Sequence, residues 1–193
     1  MRIGIIGSAG TGKTTLAKAL AKHLNVTYVP DAVIAVLKDR GRESWQGVVA
    51  GDRRRIREEA LRRKVSAEAS AESFVSDKTV IDYLAYWLQN QSEHELRHVN
   101  EEFLNQCKEA AARYDILILL PYREDVSYAL GRSQDPVHNL KVAAHKLGLL
   151  ILLELPFVRA NYRFEEDLAA WCATWLPAGA QVENAPTSSE VTE

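Results

Sequence analysis

Short apolar runs alternate with longer amphipathic segments along most of the chain. Ile3-Gly4-Ile5-Ile6 reads as a buried strand, and Thr15 to Leu24 continues it at helical spacing. Val26 to Val29 predicts a second strand, stopped by Pro30-Asp31. Helical patterns run from Ala32 to Lys38, ended by Asp39-Arg40-Gly41, and from Gly51 to about Ala71. Ser73 to Ser76 predicts a third strand, with a helix from Lys78 to about Gln89. Another helix is expected over Glu93 to Arg113, where Leu96, Val99, Phe103 and Leu104 fall near 3.6 spacing. Asp115 to Leu120 is the clearest buried strand, and Pro121 ends it. Tyr122 to Pro136 has loop chemistry, and Val137 to Leu147 returns to helix. Leu149 to Leu153 is expected as the fifth strand, with a last helix over roughly Arg159 to Trp175.

Strands alternating with helices in this way predict an α/β fold, a five-stranded parallel sheet with helices on both faces. Residues 1–176 are expected to form one domain. From Pro177 to residue 193 the chain is Pro, Ala, Ser, Thr and Glu without periodicity, which predicts a disordered tail. Ligands of such sheets bind at the carboxyl ends of the strands. That directs attention to Gly7 onward, Asp31, Asp77, Tyr122-Arg123 and Glu154.

Composition changes this picture little. The chain has 193 residues, 47% of them hydrophobic, and a net charge of −2, which gives no global case for nucleic acid or a membrane. Cys107 and Cys172 lie far apart, in no metal-like spacing, and read as buried thiols of a reducing compartment. No apolar stretch reaches spanning length, since Leu147 to Leu155 is short and contains Glu154. No signal peptide precedes the first strand, and a cytoplasmic location is expected.

The chemistry enters with Gly7-Ser8-Ala9-Gly10-Thr11-Gly12-Lys13-Thr14, placed between the first strand and the first helix. Glycines at 7, 10 and 12 let successive N–H groups turn toward a phosphate, and the helix N-terminus adds its dipole. Lys13 would reach the β- and γ-phosphates, and the Thr14 hydroxyl is the expected Mg²⁺ ligand, with Thr15 beside it. Every position of a P-loop is filled and both flanks are correct, so a P-loop NTPase fold that binds a nucleoside triphosphate is expected.

Three classes share that loop. No Asn-Lys-x-Asp stands where a GTPase would read guanine. No apolar strand ends in the Asp-Glu of a motor ATPase, and the chain is short for one. A small kinase fits better, with a carboxylate for the acceptor hydroxyl and a cationic lid. Asp31 closes the second strand and could orient or deprotonate that hydroxyl; it could equally cap the following helix. Asp77 closes the third, where it could hold the Mg²⁺ water shell, act as base, or cap a helix. Asp82 and Tyr86 share one helix face, facing either a substrate or solvent, with Ile81, Leu84 and Leu88 on the packed side. Residues 122–136 are the lid candidate; in it Arg132 would neutralise the transferring phosphate, and Arg123 is a weaker substrate contact.

These residues carry a family resemblance. The loop, then Pro30-Asp31, then Val75-Ser76-Asp77-Lys78 through Asp82 and Tyr86, then Gly131-Arg132-Ser133-Gln134-Asp135-Pro136, occur in an order that resembles the small P-loop kinases. The resemblance is to the group of the NadR-like ribosylnicotinamide kinase domain, an AAA-like ATP-binding family, and more distantly to nucleoside and thymidylate kinases. It covers residues 1 to about 176 and implies ATP and Mg²⁺, phosphoryl transfer to a hydroxyl, and acceptor contacts from Asp31, Asp77 and Asp82. Departures bear on the acceptor. Asp31 stands where the family tends to have Glu, Lys78 where Arg is usual, and Ala32-Val33-Ile34-Ala35 where an arginine often follows.

Asp52 to Lys64 is the strongest local charge feature. It reads either as a solvated helix with Glu–Arg pairs or as a cover over a polyanionic acceptor, with DNA possible through Arg53, Arg54, Arg55 and Arg57. Phage enzymes that phosphorylate hydroxymethylated bases within DNA belong to the wider family, which makes a DNA kinase the alternative. Trp45 and Trp87 could stack on bases or pack in the core. A nucleotide-dependent regulatory ATPase with no phosphorylated acceptor is the reading of a different class. The sequence leaves open which of Asp31 and Asp77 is the base, and whether ATP or GTP is preferred.

Overall fold

Strand β1 (Arg2–Ile6) occupies the centre of the sheet because both of its faces can be buried. Ile3 and Ile5 point to one side and Ile6 to the other, all fully buried. Gly4 shares the Ile6 face, where a Cβ would stand 2.6 Å from Thr79 Cγ2 and 2.7 Å from Leu117 Cδ2. Only glycine lets the neighbouring layer approach this closely. The computed structural model describes residues 1–89, 101–123 and 135–160. Among them, β1, β2 (Thr27–Val29), β3 (Phe74–Asp77), β4 (Ile116–Leu119) and β5 (Phe157–Arg159) form one five-stranded parallel sheet in the order β2-β3-β1-β4-β5.

Helix α1 (Lys13–His23) packs Leu16, Ala17, Leu20 and Ala21 on the face made by Ile3, Ile5, Val75 and Ile118. The opposite face carries α2 (Ala32–Asp39), α3 (Ala50–Ala69), α4 (Val80–Gln89), α5 (Glu101–Ala111) and α6 (Pro136–Leu152) around Ile6, Phe74 and Leu117. The expected three-layer α/β architecture is therefore present. Cys107 is buried in this second layer, and burial pushes its thiol up to about 12, an inert state. No helix among the described residues is long and apolar enough to cross a membrane.

One element differs from expectation. Leu149 to Leu153 is not a strand: α6 continues to Leu152, and the fifth strand is the three-residue edge strand Phe157–Arg159. The helix persists because Val142, Lys146, Leu149 and Leu150 stay on one buried stripe against α4, while Ile151 and Leu152 are left 60% and 80% exposed. It ends in a Schellman turn, with Glu154 N–H on the Ile151 carbonyl, Leu155 N–H on that of Leu150, and Glu154 left-handed at φ 51°. Glu154 thus enters β5 from the amino edge of the sheet and belongs to no carboxyl-edge site. Arg159 closes β5, so the last predicted helix cannot begin there; residues 161–193, with Cys172 and the tail, lie outside the described residues.

Candidate active site at the carboxyl edge of the sheet

The loop after β1 reaches its shape through Gly10 and Gly12, which are left-handed at φ 80° and 87°. Gly12 is the N-cap of α1, and no side chain closes that helix end. The first-turn N–H groups are thereby left for an anion. Ser8 is buried, with no hydrogen-bond partner for its Oγ among the described residues. Gly7 is held by close approach, since a Cβ would lie 2.8 Å from Thr11 Oγ1. The Thr11 hydroxyl and the Lys13 ammonium both donate to the Ser8 carbonyl, at 2.9 and 2.5 Å. Lys13 is pulled down from 10.5 to about 7, first by burial and then by the nearby Lys146 and Lys78 ammonium groups, against the pull of Asp82 and Asp77.

Asp77 ends β3 opposite this loop. Its Oδ2 accepts the Thr14 hydroxyl at 2.7 Å and the Tyr28 hydroxyl at 3.1 Å. Burial and then the Asp77 charge raise the Tyr28 phenol far above its ordinary value, so it stays a donor. A threonine hydroxyl and a carboxylate oxygen at this spacing, both hard oxygen donors, suit Mg²⁺.

Asp31 lies further along the edge, at the end of β2. Its Oδ1 accepts the Val33 N–H at 3.0 Å, capping α2, and the Tyr83 hydroxyl at 2.8 Å; its Oδ2 pairs with Lys78 Nζ at 2.9 Å. The capping reading is realised, and the same carboxylate also engages Tyr83 and Lys78. Burial pushes this carboxyl up, but Lys78, the Val33 N–H and Tyr83 together hold it below the usual carboxylate range. Lys78 is left-handed at φ 65°, and its ammonium sits 5.3 Å from the ring centres of both Tyr83 and Tyr86.

Asp82 is placed differently from a solvated or substrate-facing residue. It is 0% exposed, caps α4 through the Thr79 N–H and hydroxyl, and pairs with Lys146 at 2.8 Å. Lys146, 1% exposed, also donates to the Gly7 carbonyl and lies 4.9 Å from the Tyr86 ring centre. Trp87 is core, and Trp45 is half-buried against it.

Two lysines emerge that sequence reading did not single out. Lys146 occupies the buried stripe of α6 with Asn139, Val142 and Leu149, and a lysine at such a position was the available signal. Lys64, inside the basic run, is fully buried and donates to the carbonyls of Val29, Pro30 and Asp77, tying the ends of β2 and β3 together. Burial pulls it down to about 8. Tyr122 donates to the Pro136 carbonyl at 3.3 Å, so the two ends of the segment expected to form a lid are close; Arg123 precedes, and Arg132 falls within, the stretch 124–134 outside the described residues.

A family model described as an AAA domain matches residues 2–166. No curated protein matches the sequence. Among solved structures, NadR in complex with NAD and AMP-PNP superposes with a TM-score of 0.65 at 16% identity, over 83% of this chain and 44% of that one. The chain thus spans less than half of NadR. Deoxyadenosine kinase from M. mycoides gives 0.61 at 16%, over 90% and 95%. Shikimate kinase from Aquifex aeolicus gives 0.52 at 17%, over 86% and 90%. At these identities the likeness establishes a P-loop kinase-like fold.

Proposed function

The chain belongs to the AAA domain family, and from that premise we propose that it is an ATP- and Mg²⁺-dependent phosphotransferase acting on a hydroxyl of a nucleoside- or nucleotide-like acceptor. The observation that carries this reading is that two carboxylates at the carboxyl edge of the sheet have different partners. Asp77 is bound to the Thr14 hydroxyl beside the open helix end, whereas Asp31 is bound to Lys78 and Tyr83. A switch that only binds nucleotide has no need of the second group.

In this mechanism the loop residues 7–15 cradle the triphosphate, with Lys13 charged against the β- and γ-phosphates. Thr14 and Asp77 would hold Mg²⁺, which supplies charge neutralisation on the phosphates when bound. Asp31 accepts a hydrogen bond from the acceptor hydroxyl and aligns its oxygen with the γ-phosphorus. The new O–P bond forms as the bond to the β–γ bridging oxygen breaks, ADP leaves, and the proton passes by way of Asp31 to solvent. A carboxylate held below its usual range is a weak base, which suits a loose transition state that needs orientation more than proton abstraction. Asp82 acts through Lys146 as a positioning residue, Tyr86 borders the acceptor space, and Arg132 and Arg123 are assigned to the closing lid.

The test is transfer from γ-labelled ATP with Mg²⁺ to pools of nucleosides, nucleotides, and DNA with normal or hydroxymethylated bases. Label on an acceptor supports the reading. Free phosphate alone, at a rate no acceptor changes, overturns it in favour of a regulatory ATPase.

A further inference from the structure

Helix α3 carries a polar stripe where an apolar one is expected. Arg53, Arg57, Ala60, Lys64 and Glu68 recur at three- and four-residue spacing and therefore share one face. Glu68 lies deepest, accepting from the Ser76 and Tyr114 hydroxyls beside the sheet. Lys64, one turn earlier, reaches the strand ends at Val29, Pro30 and Asp77. At 1.5 Å per residue, Arg57 and Arg53 follow about 10 and 16 Å further along the helix, beyond the carboxyl edge. That direction brings Arg57 into the electrostatic reach of Tyr86 on α4 and of His138 at the start of α6.

The charges on this face are partly or fully buried, whereas Arg54, Arg55, Arg62 and Arg63 outside it are exposed. Outward Arg54 pairs with Glu58, and Arg63 with Asp39 and Glu59. Arg57 is half-buried over the Trp45 ring, 5.0 Å from its centre, and Arg53 Nε donates to the Val48 carbonyl at 2.8 Å. Neither has a carboxylate partner among the described residues. Two neighbouring guanidinium groups, partly desolvated and uncompensated, are costly unless an anion joins them. Burial, then Arg53, pulls Arg57 down to about 10. The indole fixes one fork in place, leaving its N–H groups for the planar, bidentate contacts that guanidinium makes with phosphate.

We propose that Arg53 and Arg57, backed by Trp45, bind a phosphate group already present on the acceptor, so that the preferred acceptor is a phosphorylated nucleoside unit and not the bare nucleoside. This rests on the phosphotransferase reading above. The bound phosphate is not transferred; it anchors the acceptor while the hydroxyl meets Asp31. Its source is either a free nucleoside monophosphate or a phosphodiester of a strand.

The test pairs binding with transfer, so that the two readings fail separately. With AMP-PNP and Mg²⁺ present, retention of nucleosides, nucleoside monophosphates and short DNA strands by the protein is compared for wild type, R53Q/R57Q and the outward control R54Q. We expect phosphorylated ligands to be retained at least tenfold better than nucleosides. The double substitution should abolish that preference without lowering the melting temperature of the ligand-free protein, while R54Q keeps it. Mononucleotides retained identify the free nucleotide. Strands alone retained, with the salt slope reduced by about 0.7 in R53Q/R57Q as one phosphate contact is lost, identify the phosphodiester. Arginine-dependent retention without transfer in the γ-labelled assay leaves the phosphate site standing and sinks the kinase reading. Nucleosides retained as well as their phosphates, no retention of any, or a preference that survives R53Q/R57Q, overturns the phosphate site.

Discussion

Replacing Lys13 by Met should stabilise the nucleotide-free protein while removing its activity. The ammonium is brought from 10.5 to about 7 by burial and by Lys146 and Lys78, which corresponds to about 5 kcal/mol of unfavourable energy for the charged form. The amine keeps partial access to water, which screens part of this, and the variant loses the hydrogen bond to the Ser8 carbonyl, about 1.5–3 kcal/mol. A net gain of about 2 kcal/mol remains, a rise in Tm of about 4–8 °C for a chain of this size. The sign is set by linkage. The unfolded chain holds the proton up to 10.5 and the folded one releases it near 7, so the penalty is full below pH 7 and fades as pH climbs toward 10.5. Thermal melts of both proteins between pH 6 and 10 should therefore show their largest gap at the acid end and converge at the alkaline end. Adding ATP with Mg²⁺ should raise the melting temperature of the wild type only. A Lys13→Met protein that melts at or below wild type throughout, or a gap that widens with pH, refutes the reasoning.

Two other expectations test different layers of the account. Gly4→Ala puts a methyl group within 2.6–2.7 Å of Thr79 and Leu117, and overpacking of about 1–3 kcal/mol should lower the melting temperature by several degrees; an unchanged melt would mean this interface gives way freely. Because free Lys13 is half-neutral near pH 7, nucleotide binding at pH 8 should take up close to one proton, read by calorimetry in buffers of different ionisation heat. Heat independent of the buffer would contradict the charge state assigned to Lys13.

The phosphate loop was legible because its requirement is local: a left-handed backbone at Gly10 and Gly12, and a lysine at the helix start, are written in consecutive residues. Helix ends were legible where chemistry marks them. Asn25 and Gly41 close α1 and α2 in left-handed turns that their residue types favour. Glu154 performs the same turn for α6 without any such mark, so the apolar run before it passed for a strand. Such a run has no period to separate helix from strand, and the true edge strand is only three residues long. Asp31 and Asp77 could be placed from their positions after apolar runs, but not distinguished. Their different surroundings come from Thr14, Tyr28, Tyr83 and Lys78, partners drawn from four separate elements or turns. Asp82 was seen and Lys146 was not, because their ion pair joins residues far apart in sequence on two packed helices.

The most direct test of the central claim compares Asp31→Asn with Asp77→Asn in acceptor transfer and in the affinity for fluorescent ATP as a function of Mg²⁺. Asparagine still caps α2, so Asp31→Asn should fold and bind ATP·Mg²⁺ as wild type does, while transfer falls at least a hundredfold. Asp77→Asn should instead raise the Mg²⁺ requirement tenfold or more and lower transfer with it. Normal transfer by Asp31→Asn, or the same Mg²⁺ dependence in both variants, would contradict the assignment of one carboxylate to the acceptor and the other to the metal.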